Sequence, residues 1–103
     1  MTNGDIGTML RSTGLEVFYD HAEKGTKLPY ITYTTTSDNY FADDKTYQKI
    51  YALRAVLYTA VKSQELEDQI EAVFDYYGLP WNRDELYETG SKVYMEIYES
   101  EVL

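Results

Sequence analysis

The stretch SQELEDQIEAVFDYYGLP has the spacing of an amphipathic helix. Its apolar residues fall at i, i+4, i+7, i+8 and i+11, which is one helix face: Leu66, Ile70, Val73, Phe74 and Tyr77. Ser63 is suited to cap the N-terminus, where Glu65 and Glu67 add negative charge. Gly78 and Pro80 follow the run and end it. The sequence therefore predicts a helix with both ends defined locally.

Runs of β-branched and aromatic residues predict the sheet on which this helix packs. They are PYITYTTT from Pro29, TYQKIYALRAVLYTA from Thr46, and the pair DELYE and KVYMEIYE around the turn TGS. In the last run an apolar set alternates with a mixed set: Val93, Met95 and Ile97 with Tyr94, Glu96 and Tyr98. We expect one of these two faces to meet the helix.

The N-terminal part predicts one short helix and one short strand. Asn3 is suited to cap a helix that ends near Gly14 and has apolar residues on one side: Ile6, Met9 and Leu10. Leu15, Val17 and Tyr19 then alternate as in a strand. We predict an α+β fold in the order α-β-β-β-α-β-β, with a mostly antiparallel sheet packed by one long amphipathic helix and the short N-terminal helix.

Length and composition limit the classes of function. The 103 residues fit a single domain, 1–103. Nine basic residues against 18 acidic give a net charge of −9, which disfavours a direct nucleic-acid ligand. There is no cysteine, no apolar run of about 18 residues and no basic leader, so we expect a soluble, unprocessed chain without a membrane partner. The 12 tyrosines suit strands and protein interfaces.

The acidic, aromatic stretch SDNYFADDKTYQ, residues 37–48, has three interpretations: a metal loop, a catalytic carboxylate pair, or a hairpin arm that contacts another chain. Asp38, Asp43 and Asp44 lack the ligand spacing of an EF-hand, and a solvated loop is the common alternative. We therefore predict no metal and no cofactor.

No other residues form a catalytic motif. Asp84 and Glu85 are adjacent in a predicted strand, so their side chains point to opposite faces and suit a structural role. His21, the only histidine, lies in the polar turn DHAEKGTK and is expected at the surface. The glycines do not form a phosphate-binding loop. We predict that the chain is not an enzyme and has no catalytic residues.

Trp81 and Arg83 follow the predicted helix at the turn back into the sheet. Trp81 fits either a buried corner residue or an interface anchor, and both interpretations stay open. Arg83 is placed to reach an acidic neighbour.

A family resemblance extends these inferences. LPYITYTTT, the acidic and aromatic arm, YALRAVLYTAVKSQELEDQIEAVFDYYGLPW and the hairpin ELYETGSKVYMEIYE together resemble the tail-terminator and tail-completion proteins of long-tailed bacteriophages and prophages, over residues 28–99. The resemblance implies a structural protein that forms a homo-oligomeric ring, a hexamer, on the head-proximal end of the tail tube. Its partners would be the major tail protein and the head–tail connector, with DNA only passing through the lumen. It would lie in the neck of the virion, and in the host cytoplasm during assembly.

On this basis we interpret the acidic stretch as a protruding hairpin arm at about 37–47. The candidate interface residues lie in the arm and at the turn after the helix: Tyr40, Phe41, Asp43, Asp44, Tyr47, Trp81 and Arg83. Two alternatives remain, namely another phage neck component, such as a head-closure or connector protein, and a small acidic intracellular protein-binding module.

Overall fold

The computed structural model describes residues 2–41 and 47–102, and the side chains of these ranges except those of residues 37–51. Two helices and five strands follow one another: α1 (Asn3–Arg11), β1 (Glu16–Tyr19), β2 (Tyr30–Phe41), β3 (Tyr47–Thr59), α2 (Gln64–Tyr76), β4 (Trp81–Glu88) and β5 (Val93–Val102). The predicted α+β class and the order α-β-β-β-α-β-β are confirmed.

The five strands form one mixed sheet in the order β1-β2-β3-β5-β4. All neighbouring pairs are antiparallel except β1 and β2, which are parallel. Residues 20–29 alone join this parallel pair, whereas such crossovers usually contain a helix. Strands β1 and β4 are the edges of the sheet, and β3 is its central strand.

Helix α2 begins as the sequence predicts. The Ser63 hydroxyl accepts a hydrogen bond from the backbone N–H of Leu66, and Gly78 has a positive φ of 68° just beyond the helix end. Ile70 and Phe74 are buried, with Leu66 and Val73 packed beside them. The placement of Tyr77 on the buried face was wrong, because the helix ends at Tyr76 and the Tyr77 side chain is 45% exposed.

Helix α1 begins one residue earlier than predicted. Its cap is Thr2, not Asn3: the Thr2 hydroxyl accepts from the N–H of Asp5, and the Asp5 carboxylate accepts from the N–H of Thr2. Asn3 instead joins the helix to β2, because its backbone carbonyl accepts from the Tyr33 hydroxyl and its side chain accepts from the Thr35 hydroxyl. The reciprocal pair satisfies two backbone donors, which a single asparagine cap cannot do.

Both helices pack on the same face of the sheet. The core combines alternate strand residues with the apolar faces of α1 and α2: Ile6, Met9, Leu10, Val17, Ile31, Tyr33, Leu53, Ala55, Leu57, Ile70, Phe74, Tyr98 and Val102. On β5 the mixed set meets α2, with the Tyr98 ring stacked on Phe74 at a centroid distance of 5.9 Å. The apolar set of Val93, Met95 and Ile97 therefore lies on the opposite, open face of the sheet.

Candidate functional site

Strands β2 and β3 continue beyond the rest of the sheet as a two-stranded ribbon. Residues 38–41 pair with residues 47–50, whereas β1 pairs only with residues 30–33 of β2 and β5 pairs only with residues 51–59 of β3. Within the described chain, the ribbon therefore has no third strand on either side. Backbone donors and acceptors along such edges are available to another chain.

Three candidate interface residues lie in the ribbon: Tyr40, Phe41 and Tyr47. Asp43 and Asp44 lie outside the residues that the structure describes. The role of these five residues in an interface stays a prediction.

An aromatic and apolar band crosses the open face of the sheet and takes one residue from each strand. We call it the open-face band, and it consists of Phe18, Tyr30, Tyr58, Met95 and Leu86. The Phe18 and Tyr30 rings meet edge to face at 6.0 Å, and those of Tyr30 and Tyr58 stack at 4.9 Å. Leu86, on the edge strand, is 53% exposed. Contiguous apolar surface of this kind is typical of protein interfaces.

A second row lies beside the band and is more enclosed. Thr32, Val56 and Ile97 are neighbours in register and are only 5%, 8% and 6% exposed. Neither helix covers them, because the buried residues of α1 and α2 belong to the core on the other face. The open face therefore has a buried central row beside the aromatic and apolar band, and no helical layer in the part of the chain described.

Trp81 and Arg83 lie on the helix-covered face. Trp81 is partly buried, meets the Tyr98 ring edge-on at 5.8 Å, and donates from Nε1 to the Asp75 carboxylate at 3.0 Å. This geometry is that of a corner tryptophan, and a role in an interface remains a prediction. Arg83 reaches two acidic neighbours, Glu67 and Glu71, as the sequence predicted.

Arg83 belongs to a cluster of ionisable side chains between α2, β4 and β5. We call it the carboxylate cluster, and it consists of Glu67, Glu71, Glu85, Glu96, Lys62 and Arg83. Glu67 and Glu96 are only 3% and 2% exposed.

Asp84 lies next to Glu85 but on the opposite face, as predicted, and His21 is at the surface with its side chain 76% exposed.

The environment of the cluster perturbs several of its pKa values. Burial, followed by the interaction with the neighbouring Glu85 carboxyl group and repulsion from Glu67, raises the pKa of Glu96 to about 8. The interaction with the Glu96 carboxyl group and the ammonium of Lys62 lower the pKa of Glu85. Burial and donation to Glu71 raise the pKa of Tyr98, so its hydroxyl stays a neutral donor.

Sequence reasoning missed this cluster. Glu67 lies beside the apolar residues of α2, directly after Leu66, and the sequence analysis assigned it only to the charge of the first helical turn. Glu96 was assigned only to the mixed face of β5. These two positions, one beside the predicted buried face of the helix and one between Tyr94 and Tyr98, were the only weak signs of a buried carboxylate cluster in the sequence. Nothing local connects them, because they come together only when α2 packs on β5.

Arg83→Met tests the cluster's contribution to stability. The change leaves the buried Glu67 carboxylate without its charged donor while keeping an apolar stem, so we expect a loss of about 1.5 to 3 kcal/mol in the free energy of unfolding. Urea denaturation measures it, with Arg54→Met, an exposed position on the open face, as the control. A loss below about 0.5 kcal/mol, the size of an ordinary surface effect, would contradict the assignment.

Comparison with known proteins identifies a solved structure with the same fold. No protein-family model matches the chain, and no curated protein matches it. Among solved structures, a chain from the virion of a native gene transfer agent (GTA) particle matches with a TM-score of 0.57 and 12% identity, over 90% of this chain and 83% of the other. The two chains share a fold. In residues 2–41 and 47–102, no helix has both the length and the apolar character required to span a membrane.

Proposed function

We propose that the chain is a structural component of a phage-like virion and, within it, the terminator of the tail tube. The observation that carries the proposal is the fold shared with a GTA virion chain over nine tenths of this chain's length. The resemblance of residues 28–99 to tail-terminator proteins points to the same kind of particle and to a more specific position in it. In this position the protein does no chemistry and acts through its surfaces.

Two surfaces suit a subunit that assembles into a ring. The ribbon, residues 38–41 and 47–50, offers unpaired strand edges for a neighbouring chain. The open-face band offers aromatic surface, which is enriched in interfaces. In a hexameric ring on the tail tube, these surfaces contact adjacent copies, the major tail protein and the head–tail connector.

The charge of the chain is compatible with a lumen through which DNA passes. With a net charge of −9, the subunit has too few basic groups to hold phosphates and would repel the backbone of DNA. A ring of such subunits lets DNA slide without binding it.

A second candidate function is another component of the neck, such as a head-closure or connector protein, because the shared fold fits any of these positions. A small acidic binding module is a third. It would remain a monomer in the presence of tail tubes, whereas a terminator caps them.

The double substitution Tyr40→Ser/Phe41→Ser tests the ribbon as an assembly element. In the described chain no third strand pairs with the ribbon, so we expect the melting temperature to change by no more than about 3 °C. Ring formation or tube capping should be lost, because aromatic anchors carry much of the binding energy of an interface. Melting curves and analytical ultracentrifugation, with and without tail tubes of the cognate major tail protein, measure both effects.

The matched control is Tyr76→Ser/Tyr77→Ser, which removes two rings that are 84% and 45% exposed at the end of α2. This variant should assemble like the parent protein. Normal assembly by the Tyr40→Ser/Phe41→Ser variant would overturn the assignment of the ribbon, and a monomer in all conditions would favour the acidic binding module.

A further inference from the structure

Three carboxylates of the cluster converge on one point. Glu67 from α2, Glu85 from β4 and Glu96 from β5 each bring one oxygen atom to within 4.8 Å of the other two. Three consecutive elements of the chain therefore supply oxygen atoms to the same small volume. Like charges at this separation repel, so the arrangement requires either a proton on one carboxylate or a compensating positive group.

The inner oxygen atoms lack such a group among the described residues. Both carboxylate oxygens of Glu96 and the Oε2 atom of Glu67 are buried without a hydrogen-bond partner there. Buried polar atoms are nearly always paired, and a buried carboxylate without a partner is costly. The nearby cations do not serve them: Arg83 donates to Oε1 of Glu67, and Lys62 contacts Oε1 of Glu85.

The charge balance of the cluster fits one divalent cation. Its four carboxylates, Glu67, Glu71, Glu85 and Glu96, face two cationic side chains, Lys62 and Arg83, which leaves two negative charges when all are ionised. The ligand atoms are all oxygen, the donor type that hard cations prefer. Glu85 is exposed, so an ion can reach the site and keep water ligands on that side.

The number of carboxylates favours Ca²⁺ over Mg²⁺. Ca²⁺ takes about six to eight oxygen ligands in a flexible geometry, whereas Mg²⁺ requires a near-ideal octahedron and is usually bound through one or two carboxylates and several waters. Glu67, Glu85 and Glu96 offer three carboxylates to one ion. We therefore expect Mg²⁺ to bind more weakly than Ca²⁺.

We propose that Glu67, Glu85 and Glu96 form a Ca²⁺ site that joins helix α2 to the edge strand β4 through β5. The site is independent of the proposed virion function, because it rests only on the side chains of one subunit. The sequence analysis predicted that no metal is bound, and that prediction rested on the aspartates of residues 37–48. The proposed site uses other residues, which come together only in the folded chain.

Calcium binding to the full chain tests this site. Chelator-treated protein is titrated with CaCl₂ by isothermal calorimetry in about 0.15 M KCl, which screens non-specific attraction to the acidic surface. A buffer at about pH 8.5 keeps Glu96 ionised. We expect one Ca²⁺ per chain, binding at least about tenfold tighter than Mg²⁺, and a rise in melting temperature with millimolar CaCl₂.

Four variants locate the site. Glu96→Gln and Glu85→Gln remove a charged ligand but keep its shape, and each should weaken Ca²⁺ binding by at least about tenfold. Glu85 is exposed, so its variant keeps the test valid if the buried substitution impairs folding. Glu99→Gln, an exposed change on the open face of β5, and Asp43→Asn/Asp44→Asn should bind like the parent protein.

Three results would overturn the proposal. They are the absence of Ca²⁺ binding heat in the parent protein, unchanged binding in both Glu96→Gln and Glu85→Gln, and loss of binding in Asp43→Asn/Asp44→Asn. The second would assign the ion to the general acidic surface, and the third would assign it to the stretch of residues 37–48. None of them affects the tail-terminator proposal, which is tested by assembly.

Discussion

Phe74→Ala is expected to lower the free energy of unfolding by about 3 to 5 kcal/mol, the cost of a large cavity in a core. Phe74 is fully buried, stacks on Tyr98 and lies at the centre of the α2 face that covers the sheet. The core of a chain of this length is modest, so such a loss is a large part of its total stability.

Chemical denaturation of the parent and the variant measures this change. The matched control is Tyr76→Ala, which removes a ring of similar size from the same helix at a position that is 84% exposed. The control should change the free energy of unfolding by about 0.5 kcal/mol or less. A loss below about 1 kcal/mol for Phe74→Ala would mean that α2 packs through another face.

Stability is expected to fall as the pH rises from about 4.5 to about 8 in the presence of a chelator. The folded pKa of Glu96, about 8, lies above its ordinary value of 4.5. Within this window the folded state holds a proton that the unfolded state has released, so raising the pH favours unfolding. One pKa unit corresponds to about 1.4 kcal/mol, so we expect a total loss of about 2 to 5 kcal/mol.

The groups around Glu96 do not reverse the expected fall in stability with rising pH. Glu85 has a lowered pKa, so the stability it contributes is lost only at lower pH, below its ordinary value of 4.5. Lys62 has a raised pKa and stays charged throughout the window. Glu67 and Arg83 are the other charged groups that act on Glu96.

Urea denaturation at a series of pH values, repeated with Glu96→Gln, isolates the effect. Glutamine cannot titrate, so the decline in stability from pH 4.5 to pH 8 should largely disappear in the variant. An equal decline in both proteins would show that Glu96 does not hold the proton.

Much of the fold could be predicted because its determinants are local. The apolar spacing and the Ser63 cap define α2, the Gly78 and Pro80 pair ends it, and the turn TGS joins β4 to β5. The predicted cap of α1 was wrong by one residue: Thr2 caps the helix instead of Asn3, because Thr2 and Asp5 form reciprocal hydrogen bonds. Two polar residues side by side compete for a cap, and the pattern alone does not decide between them.

The sites could not be predicted because they depend on long-range register. The alternation in β5 offered two faces, and the mixed one became the core because the Tyr98 body packs on Phe74 while its hydroxyl reaches Glu71. The same choice buries Glu96 beside Glu67 and Glu85. It also places Met95 in the open-face band. The members of this band come from all five strands, so only the order and register of the strands bring them together.

Electron microscopy of particles made by the parent genome and by a genome that lacks this gene tests the tail-terminator proposal most directly. A terminator stops tube growth and joins the tail to the head, so its loss should give overlong tail tubes and heads without tails. Expression of the protein from a plasmid should restore tails of normal length joined to heads. Particles of normal tail length, with heads attached in the absence of the gene, would contradict the proposal, as would a parent genome that makes no particle.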